Sequence, residues 1–289
     1  EFFADHHSVV YYQSITALTL ARRLKHKDQP LKVLVIANPT TGDSSDDQSG
    51  SQTVTEDRKA EVDRLIESQY RGKRQDEEGL PEQSLLSLQT YNRLSAAFGP
   101  LPVTEELAKD LQAQFGENAD VYSRAQATMA AFREEIIPKI NRYDKIIFAT
   151  HGYAGDEFRP EIEEPFLVLS LIQPRSDNLL RMSAVMDLPL NADLVTLIAC
   201  QSGLGKQISG EGTMGMGRAF QYAGSKSVLM SLWSVEEKAS VQLVRTLLEQ
   251  TSKGADKLEA LKRARDQLRQ TGWDHPFFWA AFVLVGEGN

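Results

Sequence analysis

The sequence predicts an α/β fold, a mostly parallel six-stranded sheet with helices on both faces. Apolar, β-branched runs of strand length recur along the chain, and stretches with helical spacing separate them. Two of those runs end directly on a reactive side chain, as the strands of an open parallel sheet do. The 289 residues, 41% of them hydrophobic and 25% charged, are read as a single domain over 1–289. A folded chain of that length removes roughly three quarters of its surface from water. Within it, 40–100 reads as an insertion and 101–286 as the core.

Taken in order, Leu31 to Asn38 (LKVLVIAN) is a buried-strand pattern closed by Pro39 and the turn run 40–43. The polar stretch to Gln52 has nothing to bury and reads as a mobile loop. Lys59 to Tyr70 and Leu85 to Phe98 have helical spacing, the second stopped by Gly99-Pro100, and 40–100 carries too few large apolar residues for a core of its own. A helix starts at Thr104, with Glu105 and Glu106 where the helix dipole favours them, and stops at Gly116. Asp120 to Ser123 is a short strand, Ala125 to Ile140 a longer helix, and Lys145 to Thr150 a strand leading into His151-Gly152. Leu194 to Ala199 is a second such strand and leads into Cys200. A Gly-rich loop (203–217), a helix from Met214 to Ala223 and a strand from Ser227 to Leu232 follow. Helices over Glu236 to Gln250 and Lys257 to Gln270 precede a last strand, Trp279 to Val285.

Composition narrows the function. Forty acidic against 32 basic side chains give a net charge of −8, which argues against a phosphate-binding surface for nucleic acid. A single cysteine excludes an intrachain disulfide, and no Cys/His set resembles a zinc site. The longest apolar run, Phe277 to Val285, is strand length and far short of a membrane span. The first residues lack the pattern of a secretory signal, so a cytoplasmic, soluble protein without metal or cofactor is expected. The chain opens on Glu1 with residues that look mid-stream, as the C-terminal part of something longer.

The chemistry sits at two strand ends. A free thiol is only a few per cent thiolate at neutral pH. An imidazole beside Cys200 can take its proton and later protonate a leaving amine. Gly152, directly after His151, lets a backbone N–H approach a substrate oxygen. With the N–H of Cys200 it would form an oxyanion hole, worth roughly 2.7–4 kcal/mol per donor. Either residue alone is more often structural; the pair, 49 residues apart at neighbouring strand ends, points to a nucleophile and its base.

Ala149-Thr150-His151-Gly152, Ile198-Ala199-Cys200-Gln201-Ser202-Gly203-Leu204-Gly205, Gly210-Glu211-Gly212, Ala219-Phe220 with Ala223-Gly224, Ser231-Leu232-Trp233-Ser234-Val235, and His275 to Phe282 together resemble a CHAT domain. These are caspase-like domains often found downstream of tetratricopeptide repeats and distantly similar to separase. The resemblance covers 8–39 weakly and 100–286 strongly. Gln201 departs from the usual Glu, which leaves substrate preference open, and the 40–100 insertion is a second departure. The resemblance implies a caspase-type fold with a Cys–His dyad, His151 as general base and Cys200 as nucleophile. It further implies an extended peptide pairing just after Ser227 to Leu232, along Ser231, Leu232, Trp233 and Ser234. Trp233 would wall the substrate, or else be a core or rim aromatic. Separases place an acid four residues after the matching Trp to receive a P1 arginine; here that position is Glu237, beside Glu236. Both also stand in the first turn of the following helix, where acids are favoured anyway.

The leading expectation is therefore a cysteine endopeptidase cutting a specific protein after Arg or Lys, controlled by an upstream repeat or sensor domain and an activating partner. The alternative is a caspase-like scaffold that docks a partner without turnover. Gly210-Glu-Gly-Thr-Met-Gly215 matches a dinucleotide fingerprint formally but lies ten residues beyond Cys200, not in the turn itself. His6-His7 reads as surface, His275 as a cap, and Glu157, Glu161, Glu163 and Glu164 as an acidic loop able to attract basic substrates.

Overall fold

The computed structural model describes residues 10–11, 31–41, 88–153, 162, 164–171, 178–198 and 211–289. The polar loop from residue 42 to Gln52, the helix over 59–70, His6-His7, Cys200, residues 203–210 of the Gly-rich loop and the acids Glu157, Glu161 and Glu163 lie outside the described residues. Ten strands are described: β1 (Val10–Tyr11), β2 (Val33–Pro39), β3 (Ala119–Arg124), β4 (Lys145–Ala149), β5 (Gly152–Tyr153), β6 (Phe166–Val168), β7 (Leu179–Arg181), β8 (Leu194–Leu197), β9 (Ser227–Ser231) and β10 (Phe282–Gly286). The helices are α1 (Leu88–Ala97), α2 (Pro102–Phe115), α3 (Met129–Ala131), α4 (Met182–Met186), α5 (Glu211–Tyr222), α6 (Glu237–Ser252), α7 (Lys257–Gln270) and α8 (Pro276–Trp279).

The main sheet runs in the order β1-β10-β9-β8-β4-β2-β3. Its six longer strands are those the sequence predicts, and the two-residue β1 adds a seventh alongside β10. All neighbours are parallel except β9 and β10. Period-two alternation explains why both faces are covered. Val33, Val35 and Ala37 of β2 point into one core with Ile147 and Leu229, beneath α2, α6 and α7. Leu34 and Ile36 point the other way, with Ile146, Phe148, Val195 and Met230, against Phe132, Ile136 and Phe220. Each fully buried large apolar side chain contributes about 1.5–3 kcal/mol, so the central strands are firmly anchored. Gly224, part of the recognised motif, serves this packing: its φ is +115°, and a Cβ there would lie 2.4 Å from the Leu190 carbonyl oxygen.

Four readings depart from the sequence-based expectation. Residues 211–213, read as Gly-rich loop ahead of a helix from Met214, already belong to α5. The helix expected from Ala125 begins at Met129, where Thr128 accepts a hydrogen bond from the Ala131 N–H. It then widens over Phe132–Ile136 and tightens over Ile137–Arg142, where Pro138 cannot donate to the ladder. The last strand starts at Phe282, since 276–279 form a helical turn capped by His275, whose Nδ1 accepts from the Phe277 N–H at 3.2 Å. Finally, β5, β6 and β7 form a separate antiparallel sheet in the order β5-β6-β7. Its core joins Tyr153, Phe166, Val168 and Leu179 to Leu94 and Phe98, so the end of the stretch read as an insertion docks on it.

Candidate active site

His151 sits where β4 gives way to β5, between the two sheets. Thr150 Oγ1 donates to the Val168 carbonyl at 2.5 Å, and the Val168 N–H donates to the His151 carbonyl at 2.8 Å. The imidazole is buried, 7% exposed. The Phe98 ring stacks on it with centroids 4.9 Å apart and planes 24° from parallel. Its Nε2 lies 2.7 Å from the Gly99 carbonyl oxygen. A carbonyl offers only lone pairs, so Nε2 carries the proton and Nδ1 is the basic nitrogen. Burial pushes the His151 pKa below its ordinary value, and the Gly99 carbonyl opposes that in part. The ring is thus neutral at pH 7, the state a general base needs.

Gly152 pairs with Leu167, and the flanking bond from Val168 to His151 makes that pair a non-hydrogen-bonded one. The Gly152 N–H is therefore turned away from β6, the sense an oxyanion donor requires.

β4 and β8 are parallel neighbours whose partners are offset by 49 residues at every pair, Lys145 with Leu194 through Phe148 with Leu197. The Ile198 N–H still donates to the Phe148 carbonyl at 2.8 Å. His151 and Cys200 share that same offset along the chain, each three residues beyond the last pair.

The expected substrate segment is described throughout. Ser231 pairs with Phe282, and the Leu232 N–H donates to the Ala281 carbonyl at 2.9 Å. Antiparallel alternation turns the main chain of Ser231 to the other side, towards β8. Trp233 is half-buried on the core; its Nε1 donates to the Phe277 carbonyl at 2.9 Å, and its ring faces the half-exposed Phe277 with centroids 6.4 Å apart. Ser234 is half-buried. Glu236 caps its own helix, accepting from the Ala239 N–H at 2.9 Å. Glu237 turns instead to the start of α2 and accepts from the Thr104 N–H at 2.9 Å. Burial raises its pKa despite the backbone donors of Thr104 and Val103. Sequence reasoning missed this capping role, and it missed Phe98 and Gly99 beside His151. The single local signal was Gly99-Pro100, legible only as a helix stop.

Among the described residues no group of His, Cys, Asp and Glu is arranged to hold a metal, and no helix is long and apolar enough to cross a membrane. An open, mostly parallel α/β sheet with a buried, oriented histidine at one strand's carboxyl end defines the class. Residues 1–287 match the CHAT domain family, and the chain belongs to it, as the motifs implied. Tetratricopeptide repeat protein 28 of Homo sapiens is 32% identical over 114 residues, 39% of this chain, and the Mus musculus protein 31% over the same length. Those stretches are 5% of either relative, so the chain spans a small part of them. Among solved structures, a chain of the Saccharomyces cerevisiae separase–securin complex superposes with a TM-score of 0.47 at 14% identity, over 96% of this chain and 14% of that one. The Arg-specific cysteine proteinase gingipain R superposes with a TM-score of 0.40 at 11% identity, over 91% of this chain and 49% of the other.

Proposed function

We propose that this chain is a cysteine endopeptidase in which His151 and Cys200 form the catalytic dyad. The observation that carries the reading is the shared offset: the spacing from His151 to Cys200 equals the register of the adjacent strands β4 and β8. Chains in neighbouring strands run about 4.8 Å apart, so a register continued three residues past the last pair would bring His151 and Cys200 within reach of one another.

In the proposed reaction Nδ1 of His151 takes the Sγ proton of Cys200, and the thiolate attacks the scissile carbonyl carbon. The oxyanion is held by the N–H groups of Gly152 and Cys200. As the imidazolium forms, its Nε2–H bond to the Gly99 carbonyl becomes charge-assisted and strengthens, so it favours the transition state over the ground state. Nδ1 then protonates the leaving amine, and a water deprotonated by the same nitrogen hydrolyses the thioester.

The substrate is an extended peptide pairing with Ser231 to Ser234, with Trp233 as a side wall. A basic P1 residue is favoured by Glu237, with Glu236 adding charge at the rim. Glu237 already caps α2, but each carboxylate oxygen has two acceptor sites, which leaves room for a guanidinium. The family's association with repeat arrays, and the relatives' name, support an upstream repeat or sensor domain as regulator. Cys200→Ala is expected to abolish cleavage of a peptide library while the melting temperature stays; unchanged turnover would refute the dyad. A fluorogenic panel varied at P1 alone is expected to favour Arg and Lys, and equal cleavage after Asp or Leu removes Glu237 from that role.

A further inference from the structure

We propose that Asn38 and Thr41, at and just beyond the end of β2, are positioning residues that clamp the 98–101 loop and thereby fix which ring nitrogen of His151 is the base. The effect on turnover rests on the peptidase reading; the effect on the imidazole does not.

The loop cannot hold its own shape at the point that matters. Gly99 has no side chain, nothing lies within 4 Å of where its Cβ would be, and Pro100 offers no N–H. Yet its carbonyl must stay 2.7 Å from His151 Nε2. The fixing comes from either side. Thr41 Oγ1 donates to the Phe98 carbonyl at 2.6 Å. Asn38 Oδ1 accepts from the Leu101 N–H at 2.7 Å. Both clamping side chains are 6% exposed. The peptide carrying the Gly99 carbonyl is thus held between two atoms that belong to the β2 end.

Asn38 suits that place for a further reason. Its φ is +42°, a left-handed conformation that Asn tolerates better than other side chains. A residue of this kind, buried and bonded at both ends of its amide, persists only where the surroundings hold it, as they do at functional sites. The other end, Nδ2, donates to Glu105 Oε2 at 3.0 Å, and Glu105 also accepts from Arg124 Nε at 2.7 Å. Burial works to raise the Glu105 pKa, but the hydrogen bonds from Arg124, Lys109 and Asn38 outweigh it and keep the carboxylate charged. That pins the amide so that its oxygen faces Leu101.

The clamp also shares a foundation with what it positions. β2 is paired with β4 in register, Ala37 beside Ala149. The same sheet therefore sets both the imidazole, through β4, and its acceptor, through Asn38 and Thr41.

The test uses the whole chain, labelled with nitrogen-15, and long-range imidazole spectra in which His151 is assigned from a His151→Gln variant. Wild type is expected to show one neutral tautomer, protonated at Nε2. Thr41→Val removes the donor at nearly constant shape, and Asn38→Gly removes both amide bonds while accepting the positive φ. Each is expected to give a tautomer mixture, the double variant most of all, with kcat lowered about tenfold and KM little changed. Thr41→Ser should restore the single tautomer. If the double variant fails to fold, Thr41→Val and its Ser rescue decide the matter. A wild-type tautomer in folded Thr41→Val overturns the proposal whatever the activity. A tautomer mixture sustains it even where no form of the protein cleaves any peptide, an outcome that would count against the peptidase reading alone.

Discussion

The two sheets treat the same histidine differently. The main sheet supplies its stem: β4 lies between β2 and β8, with Phe148 fully buried and its ring 6.4 Å from Phe132 and 5.3 Å from Phe220. The small sheet supplies its surroundings, through strands of two or three residues and the docked α1–Phe98 segment. The first is deep and covered on both faces; the second is shallow and built partly from sequence far from His151. A reactive group can thus be placed by a rigid element and tuned by a cheaper one that can change independently.

That contrast is broken most severely in the main sheet. Phe148→Ala removes a ring with no exposed surface from between two others, and should cost about 3–5 kcal/mol, read as a lower denaturant midpoint with an unchanged slope. Phe98→Leu is the matching change in the small sheet. It keeps an apolar side chain in the cluster and should cost under about 1.5 kcal/mol, yet it uncovers the face of His151. Burial is the larger influence holding that pKa down, so the His151 pKa should rise. The acid limb of kcat/KM against pH, or of Cys200 alkylation, should then move to higher pH. A large stability loss with an unmoved limb would mean that Phe98 belongs to the core rather than to the site.

The same contrast explains what could be read from the sequence. VLVIA, IIFA and LVTLI are near-continuous apolar runs because both faces of their strands are buried, and they declare themselves. His151 and Cys200 stand out in the sequence as candidates because they follow such runs directly. The small sheet was invisible: Gly152–Tyr153 and Leu179–Arg181 are too short for any period to show. The run from Pro276 to Val285 looked like one strand because an apolar stretch does not say which backbone it prefers, and only the cap at His275 separates turn from strand. Asn38 ended a strand in the sequence; nothing local said that its amide would reach a loop 63 residues away. Glu237 reaches Thr104 across 133 residues, so a motif could mark the carboxylate without revealing that it caps another helix.

Glu237 gives the smallest and most specific test, because it ties the start of α6, beside the proposed substrate segment, to the start of α2. Its pKa is raised in the folded protein, with burial the main cause. Between its unfolded and folded pKa values the folded state holds the extra proton. Its contribution to stability is therefore fully present below the unfolded pKa and lost as pH rises through the folded one. Glu237→Gln keeps an oxygen for the Thr104 N–H and removes the titration. The difference in unfolding free energy between wild type and Glu237→Gln should therefore drift against wild type as pH rises from the ordinary carboxylate range, then level off. Glu237→Ala, which also removes the cap, should lie about 0.5–2 kcal/mol below Glu237→Gln at every pH. If Glu237→Gln loses cleavage after Arg while holding that stability profile, the carboxylate charge serves the substrate and its oxygen serves α2. If cleavage after Arg is unchanged, Glu237 belongs to the scaffold and P1 recognition must be sought elsewhere along the rim.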